Sequence, residues 1–189
     1  MSHAPINNFT VALRLRDHKH PSSTIHHLPS HQEIVIEPHS PENQFTSRAK
    51  KFNFHHVFEH SNNQQIYSQL IAPKLNILQS NYNLMIMAYG ITGSGKTYTV
   101  FGNMLNSECP EPGISIICFQ EVMENVLAGY NFQFSYLQVY NESVNDLLAE
   151  TKSDEESNPP KLKSLNVLED VEGRVQMPEL KKVKVSSFE

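Results

Sequence analysis

Apolar residues mark three short segments near the start of the chain, residues 9–16, 33–37 and 51–58. In residues 9–16 they alternate with polar residues, and a period of two places successive side chains on opposite faces of a strand. Residues 33–37 are a short apolar run before Pro38, and residues 51–58 have apolar side chains at 52, 54 and 58, so each segment predicts a β-strand. The residues between the first two, 17–32, are rich in His, Ser and Pro and predict a surface loop.

Two apolar stripes at helical spacing come next. The first stripe, within residues 63–79, comprises Ile66, Leu70, Ile71, Leu75 and Leu78. Pro73 lies inside this segment, and because proline lacks an N–H donor and crowds the preceding turn, the helix should bend or split there. The second stripe comprises Ile116, Phe119, Met123, Val126 and Leu127, and Gly129 is placed to end that helix.

The rest of the chain continues to interleave strands and helices. The apolar run 84–89 predicts a buried parallel strand, residues 132–140 predict a central strand, and residues 141–148 predict a short helical piece. An acidic surface loop is expected at 150–160. Short strands are then expected at 165–168, 174–177 and 182–185, with a turn at Glu172 and Gly173 between the first two. This order predicts an α/β fold in layers, with helices on both faces of a mainly parallel mixed central sheet.

The segment that carries chemistry is Gly90-Ile91-Thr92-Gly93-Ser94-Gly95-Lys96-Thr97, which matches the pattern G-x-x-x-x-G-K-[ST] at every fixed position. It lies between a predicted strand and a predicted helix start, which is the context in which this pattern binds phosphate. We expect the N–H groups of residues 90–95 to converge on phosphate oxygens, Lys96 to bind the terminal phosphates and the Thr97 hydroxyl to coordinate Mg²⁺. The alternative is a glycine-rich turn that matches by chance, which glycine's ordinary frequency of about 7% makes rare. The sequence therefore predicts nucleoside triphosphate binding.

Composition and charge narrow the class of protein. The chain has 189 residues, of which 39% are hydrophobic and 19% charged, as expected of one soluble globular domain. Its formal net charge of −5 is opposite to the basic balance typical of nucleic-acid-binding domains. No apolar run is long enough for a membrane span and no signal pattern begins the chain, so a cytoplasmic protein is expected. Its two cysteines, Cys109 and Cys118, are expected to be free thiols.

Five histidines lie close together in the predicted surface loop. They are His18, His20, His26, His27 and His31. A metal site is one interpretation, because imidazole is a common metal ligand. A solvated loop is the other, and we favour it because no cysteine or nearby carboxylate cluster completes a coordination sphere.

The residues around the glycine-rich segment resemble those of the kinesin motor domain. Ala88 and Tyr89 precede Gly90, and Tyr98 and Thr99 follow Thr97, as in that family's signature. Other stretches are similar to kinesin segments in the same order, namely residues 52–54, 57–58, 65–67, 73–75, 135–142, 146–148 and 165–189. The resemblance covers nearly the whole chain. Its most specific parts are the glycine-rich segment and the Tyr-Asn-Glu and Asp-Leu-Leu triplets, at 140–142 and 146–148.

This resemblance implies a layered P-loop NTPase fold, ATP and Mg²⁺ as cofactors, and microtubules (tubulin) as the partner. It also implies ATP hydrolysis coupled to microtubule-based movement, in the cytoplasm and on the cytoskeleton. The family's first strand ends in Arg-x-Arg-Pro and helps to hold adenine. Arg14 and Arg16 match that motif, Asp17 stands where the proline is expected, and Tyr98 matches the aromatic residue beside the base. Arg14, Arg16 and Tyr98 are therefore expected at the base, with a solvated strand face and packing on the helix as the alternatives.

The two switch segments that complete the family's catalytic site do not occur in these 189 residues. One has the pattern Asn-x-x-Ser-Ser-Arg-Ser-His and the other Asp-Leu-Ala-Gly. Asp170-Val171-Glu172-Gly173 fits a bare D-x-x-G but falls in the predicted hairpin region. We therefore expect residues 1–189 to be the N-terminal portion of a motor head, with an incomplete sheet and no assigned catalytic residue. Two alternatives stay open: a non-motile nucleotide-binding or interaction fragment that does not turn over ATP, and another phosphate-loop enzyme such as a small-molecule kinase.

Overall fold

The structure is a computed structural model that describes residues 9–16, 25–28, 32–37, 49–103, 110–149 and 162–185. It divides into two compact units, Met1–Val122 and Met123–Glu189. The predicted acidic loop at 150–160 lies outside the described residues, as do His18, His20 and His31.

The first unit contains seven described strands and three α-helices. The strands are β1 (Ala12–Arg14), β2 (Ile25–Leu28), β3 (Glu33–Ile36), β4 (Lys50–Asn53), β5 (His56–Phe58), β6 (Gly102–Asn103) and β7 (Glu111–Pro112). The helices are α1 (Asn63–Leu70), a 3₁₀ helix (Ala72–Ser80), α2 (Lys96–Phe101) and α3 (Ile114–Glu121), and α3 continues into a π-helical segment (Val122–Val126). β1 pairs in parallel with β5, whereas β2-β3-β4 and β6-β7 are antiparallel.

The second unit contains seven described strands, all paired antiparallel. They are β8 (Phe132–Phe134), β9 (Leu137–Tyr140), β10 (Ser143–Asp146), β11 (Lys163–Leu165), β12 (Leu168–Glu169), β13 (Val175–Gln176) and β14 (Val183–Val185). β9, β10 and β11 form one sheet in the order β11-β10-β9, and β8-β14 and β12-β13 are separate pairs. The predicted turn at Gly173 is confirmed, because this residue has φ 78° between β12 and β13.

The predicted split of the first helix at Pro73 is confirmed. α1 begins with a capping box, in which the Asn62 side chain accepts from the Gln65 N–H at 2.8 Å and the Gln65 side chain accepts from the Asn62 N–H at 3.0 Å. It ends at Leu70, and Pro73 lies in the first turn of the 3₁₀ helix, where a missing N–H costs least. The capping box therefore fixes the position at which α1 begins.

The apolar core of the first unit lies along α1 and the 3₁₀ helix. Its buried side chains include Ile66, Tyr67, Ile71 and Leu75, together with Ile114 at the start of α3. Within the described residues the Tyr67 hydroxyl is buried without a hydrogen-bond partner, and burial is the main cause that raises the pKa of Tyr67 to about 12. The core is thus built by the predicted first stripe.

The apolar run 84–89 is not the buried parallel strand that its sequence predicts. It has no assigned strand or helix, and Met85, Met87 and Tyr89 are 82%, 75% and 97% exposed. A strand needs neighbours that satisfy its N–H and C=O groups, and no strand of the described residues pairs with this run. The predicted mainly parallel central sheet is also absent from the described residues, where β1-β5 is the one parallel pair.

Residues 141–148 form a hairpin turn and a strand where the sequence predicts a helical piece. Asn141 and Glu142 have φ of 47° and 61°, and they connect β9 to β10 as a two-residue turn. Positive φ at both positions matches the right-handed twist of the flanking strands. The predicted single strand at 132–140 is likewise two strands, β8 and β9, which pair with different partners.

The predicted loop 17–32 contains a strand at its end. β2 pairs antiparallel with β3, so backbone pairing outweighs the loop-like composition there. Residues 51–58, predicted as one strand, contribute to two: β4 pairs with β3, and β5 pairs with β1. In both places the position of the neighbouring strand determines which residues form a strand. The periodicity of the sequence does not show which strands are neighbours.

Asp146 is the buried charged residue of the second unit. Its carboxylate accepts from the Lys181 N–H at 2.8 Å and from the Leu148 N–H at 2.9 Å, which connects the end of β10 to the segment before β14. The Lys181 N–H is the main cause that holds the pKa of Asp146 below its ordinary value, since a hydrogen bond to a carboxylate favours the charged form.

We predict that Asp146→Asn lowers the free energy of unfolding by about 1–3 kcal/mol at neutral pH, because the amide places donors opposite backbone donors. The native Asp146 carboxylate contributes its full stabilisation of the folded state above its ordinary pKa of 3.8. This stabilisation is lost as the pH falls through the lower pKa that Asp146 has in the folded state. Urea unfolding of both chains should therefore show a difference that shrinks below about pH 4. Exposed Glu142→Gln is the control, and an equal loss in both variants would contradict the role of Asp146.

Candidate functional site

The phosphate loop (residues 90–97) adopts a conformation that its glycines permit. Gly93 and Gly95 have φ of 78° and 95°, which strain any residue with a Cβ. A Cβ at Gly90 would lie 2.6 Å from the Ser94 hydroxyl oxygen, so the loop closes tightly there. The Ser94 N–H donates to the Ile91 carbonyl at 3.2 Å, and α2 begins at the end of the loop, as predicted. The backbone of the loop is therefore tightly curled at positions that favour glycine.

Two cationic side chains contact the carbonyls of this loop. Lys96 Nζ donates to the Gly90 and Ile91 carbonyls, each at 2.8 Å. Arg16 Nη1 donates to the Gly93 carbonyl at 2.5 Å. The structure thus brings two of the predicted binding residues to the loop, and the Thr97 side chain is exposed beside them. Positive charge of this kind is what a polyphosphate needs.

No residue of α2, the helix that follows the loop, is buried. A group of hydrogen-bonded residues, which we call the Asn63 cluster, contacts this helix. The Asn63 cluster comprises Arg14, Ser61, Asn63, Tyr98, Thr99, Glu111 and Pro112.

Asn63 lies at the centre of this cluster and is fully buried. Its side-chain amide donates to the Tyr98 and Pro112 carbonyls, each at 3.1 Å, while its side-chain oxygen accepts from Arg14 at 2.7 Å. Its backbone N–H lies in the first turn of α1 and so has no acceptor within the helix. The Glu111 carboxylate accepts this hydrogen bond at 2.9 Å. One residue therefore joins α1, α2, β1 and β7.

Arg14 is directed into the Asn63 cluster. Its Nη1 donates to Asn63 and, at 2.8 Å, to the Thr99 hydroxyl, and its Nη2 donates to the Ser61 carbonyl at 3.0 Å. The guanidinium carbon also lies 5.2 Å from the centre of the Tyr98 ring, within the range of a cation–π contact. The Thr99 hydroxyl in turn donates to the Gly95 carbonyl at 3.0 Å, at the junction of the loop and α2.

Tyr98 and Glu111 form a hydrogen-bonded pair at the edge of the cluster, in which the Tyr98 hydroxyl donates to the carboxylate. The Asn63 N–H is the main cause that lowers the pKa of Glu111, and the Tyr98 hydroxyl adds to it. The Glu111 carboxylate is the main cause that raises the pKa of Tyr98, because it accepts from the protonated phenol. The pair is thus a carboxylate and a neutral phenol at neutral pH.

Two glycines allow close backbone contacts, Gly102 between β6 and β7 and Gly113 between α2 and the residue before α3. A Cβ at Gly102 would lie 2.0 Å from the Glu111 carbonyl oxygen, and one at Gly113 would lie 2.2 Å from the Val100 carbonyl oxygen. Both contacts are with backbone, which cannot move aside as a flexible side chain can. The Ser115 hydroxyl also donates to the Val100 carbonyl, at 2.5 Å. These residues place Glu111 where it reaches Asn63.

The structure therefore separates the residues that the sequence predicts at one site. Arg16 and Lys96 contact the phosphate loop, whereas Arg14 and Tyr98 belong to the Asn63 cluster. The sequence interpretation missed Asn63, Thr99 and Glu111. The capping box before Asn63 is the one local signal that points to that residue.

Among the residues that the structure describes, no group of three or more His, Cys, Asp and Glu side chains could hold a metal ion. No helix in the same residues is long and apolar enough to cross a membrane. The histidine-rich segment stays a prediction, because most of it lies outside the described residues.

Comparison with known proteins gives a family and several relatives. The family model of the kinesin motor domain matches residues 13–189. Kinesin-like protein KIF27 of Rattus norvegicus is 32% identical over 95% of this chain and 12% of its own length. Kinesin-like protein 5 of Schizosaccharomyces pombe is 32% identical over 75% of this chain and 16% of its own. Chromosome-associated kinesin KIF4 of Xenopus laevis is 31% identical over 64% of this chain and 10% of its own. The chain thus spans 10–16% of the length of these relatives.

We predict that Asn63→Ala lowers the free energy of unfolding of the first unit by about 2–4 kcal/mol, because it leaves two carbonyls and the Arg14 guanidinium without their buried partner. Exposed Asn53→Ala, on β4, is the matched control and should cost no more than about 0.5 kcal/mol. Denaturant unfolding followed by circular dichroism measures both. Similar losses in the two variants would contradict the central position of Asn63.

Proposed function

The chain belongs to the kinesin motor-domain family, and on that premise we propose that its phosphate loop binds Mg·ATP. The observation that carries this proposal is the arrangement of Lys96 and Arg16 on a loop whose glycines hold positive φ. Main-chain N–H groups with one ammonium and one guanidinium nearby suit a polyanion. The match to the kinesin motor domain favours ATP among nucleoside triphosphates.

The residues present fit Mg·ATP. The absence of Cβ atoms at Gly93 and Gly95 leaves space beside the loop, since nothing lies within 4 Å of where those atoms would be. Lys96 would exchange its contacts with two loop carbonyls for phosphate oxygens, and the exposed Thr97 hydroxyl would coordinate Mg²⁺. The bound metal ion would neutralise phosphate charge, and the chain's own contribution is to bind and orient the polyphosphate.

Arg16 and Tyr98 are proposed as contacts of the base. Tyr98 is 37% exposed and keeps part of its ring accessible, although its hydroxyl is bonded to Glu111. Arg16 is exposed and lies at the loop. Arg14 shares their place in the family pattern, but its guanidinium already donates to three acceptors of the protein.

For the whole protein we propose ATP hydrolysis coupled to movement along microtubules, in the cytoplasm and on the cytoskeleton. The support for this is the family match together with the names of the relatives. The 189 residues contain neither switch segment, so nucleotide binding without rapid turnover is the second candidate for this chain by itself. Microtubule-stimulated ATP turnover separates the two, because rapid turnover by the 189-residue chain is compatible only with the first.

We predict that Lys96→Ala weakens Mg·ATP binding about ten- to a hundredfold, because it removes a charge-assisted contact worth about 1.5–3 kcal/mol. Titration calorimetry measures the affinity. Lys182→Ala removes an exposed lysine from the second unit and should leave the affinity unchanged. Equal affinity of the unchanged chain and Lys96→Ala would refute the proposed role of the loop.

Removal of magnesium should reveal the role of Thr97. The unchanged chain should bind ATP more tightly with Mg²⁺ than with EDTA, because the hydroxyl and the phosphates share the metal ion. In Thr97→Ala we expect this gain to shrink by about three- to tenfold, with little change in the affinity measured in EDTA. A variant that keeps the full magnesium effect would exclude Thr97 as a ligand.

A further inference from the structure

A path of hydrogen bonds leads from the interior of the first unit to the phosphate loop. Arg14 Nη1 donates to the Thr99 hydroxyl at 2.8 Å, and that hydroxyl donates to the Gly95 carbonyl at 3.0 Å. The Thr99 N–H donates to the same carbonyl at 2.9 Å. Gly95 is the last glycine of the loop and has φ 95°. Its carbonyl thus receives two hydrogen bonds from one residue that Arg14 holds in place.

Both termini of the Arg14 guanidinium are engaged with the protein. The two N–H groups of Nη1 are directed at Asn63 and Thr99, and Nη2 is directed at the Ser61 carbonyl. These bonds use three of the five donors of the guanidinium, including both donors of Nη1. The contact partners of Arg14 therefore favour a structural role over direct contact with a nucleotide.

From this geometry we propose that Arg14 and Thr99 are positioning residues, which hold the phosphate loop in its binding conformation without touching the base. The proposal rests on the proposed function, since it concerns the loop that binds the triphosphate. It assigns Arg14 differently from Arg16, its neighbour in the family pattern.

The physical need for such positioning comes from the loop and α2 themselves. Gly93 and Gly95 give the loop many accessible conformations, and ordering them costs more entropy than ordering other residues. Apolar burial supplies less of that ordering than it does in α1, because α1 has buried residues and α2 has none. A cation that donates to the Thr99 hydroxyl also polarises it, which strengthens its bond to the Gly95 carbonyl. Polar contacts thus fix the end of the loop where its apolar contacts are few.

The test compares a ligand that has a base with one that has none. Mg·ATP and Mg·tripolyphosphate are titrated into the unchanged chain, Thr99→Val, Thr99→Ser and Arg14→Lys. Valine matches threonine in shape but lacks the hydroxyl, and serine restores it. Lysine keeps the charge of Arg14 without its forked geometry. Arg174→Lys, in the second unit, is the control for the conservative exchange of an arginine.

We expect Thr99→Val and Arg14→Lys to weaken both ligands by the same factor, about three- to tenfold, and Thr99→Ser and Arg174→Lys to bind as the unchanged chain does. Weaker binding of Mg·ATP alone would overturn the proposal, since it would place Arg14 at the base. Unchanged binding of both ligands would also overturn it, because the hydrogen bonds would then not act on the loop.

Hydrogen exchange provides a second readout that needs no ligand. The amides of residues 96–101 should exchange faster in Thr99→Val than in the unchanged chain, while those of α1 keep their protection. Faster exchange by the same factor in both helices would indicate general unfolding and would count against a local positioning role, and unchanged exchange of residues 96–101 would also count against it. If the unchanged chain binds neither ligand, the proposed function fails, and the exchange of the α2 amides still decides whether Arg14 and Thr99 hold that helix.

Discussion

The hydrogen bonds of one buried amide, that of Asn63, determine how the phosphate loop is supported. All three polar groups of the residue that face the cluster are satisfied: the side-chain N–H groups by two carbonyls, the side-chain oxygen by Arg14, and the backbone N–H by Glu111. Because an unpaired group at a fully buried position is costly, these partners constrain each other. The capping box fixes where α1 starts, and that start places the amide between α2 and β7. The loop therefore depends on an interaction outside its own motif.

Apolar packing and polar packing support different parts of the first unit. The buried side chains Ile66, Ile71 and Leu75 form a stripe along α1 and the 3₁₀ helix, which makes this pair of helices the rigid base of the unit. α2 contributes no buried side chain and is attached through hydrogen bonds from Asn63, Arg14 and Ser115. Hydrogen bonds are directional, whereas hydrophobic contacts are not. For the proposed binding of a polyphosphate, a loop that presents its N–H groups gains more from fixed direction than from additional burial.

The sequence predicts the elements that depend on local signals and misses those that depend on distant partners. The helix around Ile66 and its break at Pro73, the turn at Gly173 and the start of α2 were all predictable, because caps, proline and glycine act within a few residues. Residues 84–89 and β2 were not, since the outcome there depends on which strand lies alongside. The hairpin at Asn141 was missed although its turn is local, because Asn141 and Glu142 form it without the glycine that usually marks a two-residue turn. The phosphate-loop motif was also predictable, because its glycines and Lys96 lie within eight consecutive residues. The Asn63 cluster was not, because its contacts join residues up to 85 positions apart.

Arg14 and Arg16 show why a family pattern gives residues but not their roles. Both arginines match the motif expected at the base, and they are two positions apart on one segment. Arg14 faces acceptors already oriented by α1 and α2, so three of its donors are used within the protein. Arg16 is exposed and donates to a single loop carbonyl. A guanidinium carries five donors, and the number already engaged decides how many remain for a ligand. By that count Arg16 retains more donors for a nucleotide than Arg14 does, which supports the proposed positioning role of Arg14 through the Thr99 hydroxyl and the Gly95 carbonyl.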